Sequence, residues 1–287
     1  MSSFKSKQNI KENINKTCEH CSGKYSYYKI KCPYCNLWEL GTYTKNIPIN
    51  ESNLINIKNI YIINLQRDRY RLNLFFTNLK KNKISIKNRN WNRFNAIDGS
   101  DNKNMLSEIE LLIQNTNSKE KFISLWKKYP GSMGCYLSHL KLWQTILDDE
   151  KTEEYSLIME DDSYFTRFGL INIEIALQSA ININWDILYA GHSKLKGKKI
   201  SSLFLRPDTT NNNGHNYGFF GYIVRKSSLK KLIENVKNFD SHNIDVQIRN
   251  SFDKISGLFF ISNQIRHIHS IKSTRKVINN YKVPLNF

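Results

Sequence analysis

The chain has 287 residues, of which 40% are hydrophobic and 12% aromatic, so it can bury the core of one large domain with a small appendage. Its formal net charge of +18 favours phosphate-bearing ligands or nucleic acid as partners. Because no apolar run approaches the roughly 20 residues that cross a bilayer and the first residues lack the apolar centre of a signal peptide, we expect a soluble, cytoplasmic protein.

The first 57 residues differ in character from the rest. Residues 1–16 are polar and rich in Lys and Asn, so we expect a disordered tail. Residues 17–45 contain four of the five cysteines in two close pairs, and residues 46–57 read as a polar linker. The pairs are Cys18 with Cys21 and Cys32 with Cys35. Two such pairs close a tetrahedral Zn²⁺ site with no open position, which predicts a structural zinc ribbon.

The role of this ribbon is open on the sequence alone. Tyr and Lys residues lie between the two cysteine pairs. Aromatic and basic side chains in this mixture can stack on nucleic-acid bases. They can equally form the ribbon's own small hydrophobic face, or the ribbon can dock a protein partner or brace the neighbouring domain.

From residue 58, apolar strand-like runs alternate with longer amphipathic segments, which is typical of βα units and a mainly parallel sheet. Residues 100–130 are polar and are expected to be irregular apart from one helix. The predicted elements, in chain order, are a strand over 60–65, a helix over 67–80, a strand over 91–96, a helix near 106–113, a helix over 134–147, and strands over 156–159, 185–189 and 217–224, then a helix to residue 236 and a strand over 257–261.

The strand over 156–159 ends in three consecutive carboxylates, Glu160, Asp161 and Asp162. Adjacent acids repel one another unless a cation or a set of donors neutralises them; the alternative is a solvated acidic loop. At the carboxyl end of a strand they indicate a divalent metal and a phosphate-bearing ligand. Because residues two apart share a side of an extended chain, we expect Glu160 and Asp162 to hold Mn²⁺ or Mg²⁺. Asp161 would then reach a ribose or a basic side chain.

Arginines follow the first predicted strand. Arg67 and Arg71 lie one helical turn apart, so both can face one ligand, such as a nucleotide or a diphosphate. The alternative is a pair of surface salt bridges.

An ordered set of motifs resembles glycosyltransferase family 25 over about residues 58–270. The motifs are Ile63-Asn64-Leu65-Gln66-Arg67, Asn95-Ala96-Ile97-Asp98-Gly99, Gly134-Cys135-Tyr136-Leu137-Ser138-His139 and Glu160-Asp161-Asp162. The family includes bacterial lipopolysaccharide sugar transferases and the collagen galactosyltransferases of animals and giant viruses. For a viral member, the viral factory or the virion would be the location.

The resemblance implies an α/β, GT-A-like fold, in which a Rossmann-like mixed sheet is flanked by helices. It also implies metal-dependent, inverting transfer of galactose or glucose from a UDP-sugar to a hydroxyl. The acceptor would be a glycan, a lipid-linked sugar or a hydroxylysine. The implied donor contacts are Asn64, Leu65, Arg67, Arg71, Ala96, Asp98, Gly99, Ser138, His139 and Asp161.

Several of these assignments have plain structural alternatives. His139 is equally a buried core histidine, and Asp98 with Gly99 is equally a turn. His267 and His269 share one face of a strand, as further metal ligands or as surface residues. Asp245 is the predicted general base, with Asp240 as second choice. Cys135 is expected to be a small buried hydrophobe.

A second hypothesis is a zinc-ribbon protein that binds nucleic acid or docks a partner, with a degenerate transferase scaffold. The intact acidic triplet argues against it, because carboxylates without a metal repel phosphate. The predicted partners are therefore a UDP-sugar donor, a glycan or protein acceptor and a protein bound through the ribbon, with nucleic acid less favoured. The predicted cofactors are Mn²⁺ or Mg²⁺ at the active site and structural Zn²⁺ in the ribbon.

Overall fold

We analysed a computed structural model that describes residues 55–82, 84, 86, 88–209 and 215–268, together with two short strands nearer the N-terminus. The chain divides into two compact units, residues 1–54 and residues 55–287. In the first unit, β1 (Asn15–Thr17) pairs antiparallel with β2 (Lys24–Ser26). Cys18, Cys21, Cys32 and Cys35 lie outside the described residues, so the zinc ribbon and its boundaries stay predictions.

The second unit alternates strands and helices. Its strands are β3 (Asn59–Asn64), β4 (Asn90–Asn95), β5 (Tyr155–Glu160), β6 (Ser163–Phe165), β7 (Ile187–Tyr189), β8 (Gly197–Lys199), β9 (Phe204–Pro207), β10 (Gly221–Arg225), β11 (Gly257–Phe260) and β12 (Ile265–His267). Its helices are α1 (Arg69–Lys81), α2 (Asn102–Leu112), α3 (Thr116–Lys128), α4 (Pro130–Asp148), α5 (Gly169–Ser179), α6 (Leu229–Val236) and α7 (Ile244–Asn250). Among the helices of these ranges, none is both long and apolar enough to cross a membrane.

An eight-stranded sheet forms the centre of this unit, in the order β4-β3-β5-β10-β7-β11-β9-β8. Strand β3 runs parallel to β4 and β5, and β7 runs parallel to β11. Strand β10 lies antiparallel between β5 and β7, which makes the sheet mixed. A separate ribbon pairs β6 with β12. The predicted α/β class, with a mixed sheet flanked by helices, is confirmed.

Two apolar clusters cover the two faces of the sheet. On β5, Ile158 belongs to one cluster, whereas Leu157 and Met159 belong to the other, as expected when side chains alternate along a strand. Helix α4 lies in the first cluster and buries Leu140 and Trp143 completely. Helix α1 contributes to the second cluster. Both faces of the central strands are therefore apolar, and their polar residues lie near the strand ends.

The loop after β4 is held against the N-terminal half of α4 by direct backbone contact. The Ile97 amide donates to Ser138 Oγ at 2.8 Å, and that hydroxyl donates to the Gly134 carbonyl at 2.7 Å. A Cβ on Gly134 would lie 2.6 Å from the Gly99 nitrogen and 2.7 Å from the Ile97 oxygen. Only glycine allows this approach, which brings α4 to the carboxyl ends of β3 and β5.

The segment 100–130 is more regular than predicted. Helix α2 covers the predicted helix near 106–113, but α3 was expected to be irregular and that prediction is wrong. Asn115 caps α3 by accepting from the Ser118 amide at 3.0 Å, and Phe122 and Trp126, one turn apart, are its buried side chains. With so few apolar residues, the helical period of α3 is weak in the sequence.

Candidate active site

Three adjoining cavities lie at the carboxyl ends of β4, β3 and β5. Cavity A, of about 470 Å³, lies on the β4 side; cavity B, of about 90 Å³, is central; cavity C, of about 180 Å³, lies on the far side. Cavities A and B share Leu65, Ala96 and Ile97 in their walls. Cavities B and C share Cys135, Glu160 and Asp162. Neighbouring cavities therefore adjoin along shared wall residues.

The acidic triplet forms the wall between cavities B and C. Strand β5 ends at Glu160, and Asp161 and Asp162 lie in the turn that follows. The expectation that strand alternation orients Asp162 like Glu160 therefore does not apply, although both residues line both cavities. Asp161 is 6% exposed and Asp162 is 7% exposed. The bend directs two consecutive carboxylates into the interior.

One buried arginine neutralises part of this charge. Arg71, on α1, places Nη2 at 2.7 Å from Asp161 Oδ1 and at 2.5 Å from Asp162 Oδ2. The Asn64 side-chain amide, at the end of β3, donates to Asp161 Oδ2 at 2.7 Å. Burial raises the pKa of Asp161 to about 7, against the opposing effects of Arg71 and Asn64. Three elements, β3, α1 and the turn after β5, thus fix Asp161.

Asp162 has a different environment from Asp161. Burial acts to raise its pKa, but the hydrogen bond from His267 and the charge of Arg71 outweigh burial and leave the pKa below its usual value. His267 Nε2, on β12, lies 3.3 Å from Asp162 Oδ2, and this hydrogen bond raises the pKa of His267. In the described part of the chain, the buried Asp162 Oδ1 has no hydrogen-bond partner.

Glu160 is oriented by a chain of buried donors behind it. His139 Nε2 lies 3.5 Å from Glu160 Oε1, and His139 Nδ1 lies 2.7 Å from the Tyr222 hydroxyl, which accepts from Trp143 Nε1 at 3.0 Å. An ionised carboxylate only accepts and an indole only donates. In the tautomer that matches these partners, Nε2 donates to Glu160 and Nδ1 accepts from Tyr222. With that tautomer, the hydrogen bonds all run from Trp143 toward Glu160.

Cys135 is half-buried and lines cavities B and C, so the prediction of a buried hydrophobe is wrong. Its Sγ lies 3.8 Å from Glu160 Oε1. Cys135, His139 and Glu160 each offer one ligand atom, and these three atoms lie within 4.8 Å of one another. A mixed set of sulfur, nitrogen and oxygen ligands is typical of Zn²⁺. The four-residue spacing of Cys135 and His139 on one helix is a sequence signal that could have grouped them.

The two predicted arginines line different, adjoining cavities, and their contact with one ligand stays a prediction. Arg67 lines cavity A and forms an ion pair with Asp98. Asp98 also accepts from the Ser100 amide at 3.0 Å and from its hydroxyl at 2.6 Å, so it makes the turn that was the alternative assignment. Ser138 lines cavity B, and its hydroxyl is engaged by the loop after β4. The donor-contact assignments of these residues stay predictions.

The predicted general base lies on the opposite side of the triplet from cavity A. Asp245, in the first turn of α7, lines cavity C, and its Oδ1 accepts from the Val246 amide at 2.9 Å. Asp240, the second choice, instead pairs with Lys121 at 2.5 Å on the surface. His269 lies outside the described residues, so its assignment as a metal ligand stays a prediction.

Comparison with known proteins identifies relatives. The model of glycosyltransferase family 25 (LPS biosynthesis protein) matches residues 57–248, which confirms the predicted family. A glycosyltransferase 25 family member of Aedes aegypti is 27% identical over 215 residues, covering 67% of this chain and 33% of the relative. Procollagen galactosyltransferase 2 of Homo sapiens is 23% identical over 180 residues, covering 61% of this chain and 27% of the relative. The chain thus spans a third or less of the length of these relatives.

A comparison of structures found a glycosyltransferase involved in the glycosylation of the major capsid of PBCV-1. It is 9% identical, with a TM-score of 0.38, and the match covers 78% of this chain and 98% of that one.

Proposed function

This chain belongs to glycosyltransferase family 25, and we propose that it transfers galactose or glucose from a UDP-sugar to a hydroxyl group, with a divalent cation and with inversion at the sugar carbon. The acceptor is a glycan, a lipid-linked sugar or a hydroxylysine. The observation that carries the proposal is the row of adjoining cavities A, B and C, with carboxylates in the wall that B and C share. A nucleotide-sugar is an elongated ligand with its diphosphate in the middle.

The choice of sugar and acceptor follows the relatives. The human relative is named a procollagen galactosyltransferase, which favours galactose as the sugar and a protein hydroxyl as the acceptor. The family model carries the description of lipopolysaccharide biosynthesis, which favours a glycan acceptor. The sequence motifs are compatible with both.

The residues in the wall that B and C share fit a hard divalent cation. Mn²⁺ and Mg²⁺ prefer carboxylate oxygens. Glu160 and Asp162 supply them, and Asp162 Oδ1 has no hydrogen-bond partner among the described residues. His267 lies beside Asp162 as a possible further ligand. A cation held here would neutralise the charge that develops on the leaving diphosphate.

The remaining chemistry is a displacement at the anomeric carbon. The acceptor oxygen forms a bond to that carbon while the bond from the carbon to the diphosphate oxygen breaks, and UDP departs. Asp245 takes the hydroxyl proton, because it lines cavity C together with the triplet. Arg71 keeps Asp161 and Asp162 in place during the reaction.

The test is a donor screen with the full-length protein, with and without Mn²⁺, in which release of UDP from UDP-galactose and UDP-glucose is measured. We expect metal-dependent turnover that Asp162→Asn abolishes. Asp245→Asn is expected to lower kcat by about 10²- to 10⁴-fold, the usual contribution of a general base, with little change in UDP affinity.

Asp240→Asn is the matched control, because it makes the same chemical change in a surface ion pair. It should behave like the wild type. No turnover and no metal-dependent binding with any UDP-, GDP- or CMP-sugar would refute the proposal. Equal losses in Asp240→Asn and Asp245→Asn would refute the assignment of the base.

A further inference from the structure

Cavity A is lined by a glutamate whose buried carboxylate oxygen lacks a hydrogen-bond partner in the described structure. Glu108, on α2, is 7% exposed and lines the cavity. Its Oε1 is paired with the Lys141 ammonium of α4, whereas its Oε2 has no hydrogen-bond partner among the residues that the structure describes. Leaving a buried charged acceptor unsatisfied is costly. An oxygen held in this state beside an open cavity indicates a ligand that brings a donor.

The cavity has the dimensions and walls of a small-molecule site. Its volume of about 470 Å³ lies within the range of about 300–1,000 Å³ that is typical of such sites. Leu65, Ala96 and Ile97 provide apolar wall, and the other eight lining residues, Glu108 and Lys141 among them, are polar. A flat ring with polar groups on its edge matches this arrangement.

Glu108 and Lys141 select the kind of edge that can face them. Glu108 offers one free acceptor, and the Lys141 ammonium has three N–H donors, of which one is used by Glu108. The complementary edge has one N–H beside a carbonyl oxygen. Uracil has this edge, with N3–H beside O4. Guanine has the same pair, N1–H beside O6, but it carries a further N–H group on N2 that a single free carboxylate oxygen would leave unpaired, because Oε1 is already engaged by Lys141.

We propose that cavity A is the base subsite of the nucleotide and that Glu108 and Lys141 recognise the imide edge of uracil. The inference rests on the proposed function and extends it, because it assigns the residues that choose the base. Cavity A joins cavity B through Leu65, Ala96 and Ile97, so a base in A leaves the diphosphate beside the acidic triplet.

The experiment measures the Kd of UDP and of N3-methyl-UDP for the wild type and for Glu108→Gln, by calorimetry with Mn²⁺ present. Loss of a hydrogen bond to a charged group lowers affinity by roughly tenfold to a hundredfold. We expect Glu108→Gln to weaken UDP binding by that factor. We expect N3-methyl-UDP, which lacks the donor, to bind the wild type equally poorly and to lose little more in the variant.

Glu110→Gln is the matched control. Glu110 lies on the same helix, pairs with Lys119 at 2.6 Å and has a side chain 69% exposed, so the variant should bind UDP like the wild type. Inorganic pyrophosphate with Mn²⁺ measures the phosphate part of the site, and Glu108→Gln should leave its Kd unchanged. If Glu108→Gln does not fold, N3-methyl-UDP still tests the contact on the wild type.

The outcomes separate the two proposals. If UDP binds the wild type but Glu108→Gln or N3-methylation of UDP weakens binding by less than threefold, the assignment of the base subsite is wrong and the proposed function stands. GDP or CDP binding as tightly as UDP also overturns the subsite. If the wild type binds neither UDP nor pyrophosphate with Mn²⁺, the proposed function and the subsite fall together.

Discussion

The substitutions Tyr222→Phe and Tyr189→Phe should have opposite effects on stability, although they remove the same atom from equally buried residues. Both tyrosines are 0% exposed, and they are directly paired across β10 and β7. The Tyr222 hydroxyl accepts from Trp143 at 3.0 Å and contacts His139 at 2.7 Å. The Tyr189 hydroxyl has no hydrogen-bond partner within the described part of the chain.

The expected magnitude follows from what each hydroxyl leaves behind. Removing Tyr222 Oη leaves two buried groups unsatisfied, the Trp143 N–H and His139 Nδ1. Each costs about 1–3 kcal/mol, so the loss is about 2–6 kcal/mol. Removing Tyr189 Oη removes a polar atom that is already unsatisfied, so Tyr189→Phe should be neutral or stabilising by up to about 1 kcal/mol.

The effect of Tyr222→Phe should also reach the metal. Without the Tyr222 hydroxyl, nothing in the donor chain fixes which nitrogen of His139 carries the proton, and Glu160 loses a defined donor. We expect Mn²⁺ to bind more weakly in the presence of UDP, measured as free Mn²⁺ by electron paramagnetic resonance. Chemical denaturation of the full-length variants in urea, followed by tryptophan fluorescence, measures the change in stability.

Equal stability of the two variants would contradict this reasoning, because it would show that the Tyr222 hydrogen bonds carry no net stability. A destabilised Tyr222→Phe with unchanged Mn²⁺ affinity would keep the packing argument but refute the link from Tyr222 through His139 to Glu160.

Three further predictions follow from buried groups. Burial lowers the pKa of His192 to about 4, so the folded state resists a proton that the unfolded state accepts. As pH falls from about 6.5 to 4, the free energy of unfolding of the wild type should therefore fall by about 3 kcal/mol relative to that of His192→Gln. Denaturation across that pH range measures the difference. Arg71→Met leaves the two aspartates of the triplet buried without their cation and should cost about 3–5 kcal/mol at pH 8 in urea denaturation; a loss under 1 kcal/mol would contradict the buried ion pairs. Gly99→Ala places a Cβ against the Pro130 carbonyl, so it should lower both Tm and UDP affinity by shifting the loop after β4, whereas an unchanged Tm would argue against the close contact.

The sequence predicted the elements in which hydrophobic side chains repeat clearly. Strands β3 and β5 and helix α4 differ from their predicted ranges by a few residues at the ends. The order and direction in which the strands pair in the sheet were less predictable. Strand β10 follows β5 by about sixty residues, yet pairs with it antiparallel, and a pairing over that distance leaves no local signal. Helix α3 was missed because its buried face consists of Phe122 and Trp126.

The site was predictable at the level of strand ends but not of contacts. The acidic triplet, Arg71 and the loop after β4 meet because their strands end at the same edge of the sheet, which the βα pattern indicates. Which carboxylate meets which donor depends on where the strand stops. Extended geometry pairs Glu160 with Asp162, but the turn at Asp161 instead directs both aspartates to Arg71. The alternation of side chains along a strand does not predict where a bend of one residue ends it.

The arrangement of donors around the triplet explains how three adjacent carboxylates can be held in a fixed geometry. Glu160 is contacted from α4, whereas Asp161 and Asp162 share Arg71 of α1, and Asp162 is also contacted from β12. One guanidinium cannot balance three carboxylates, so negative charge remains. That charge borders cavities B and C, because Asp162 and the partly exposed Glu160 both line them. The fold therefore directs the unbalanced charge to the place where a cation and a diphosphate would enter.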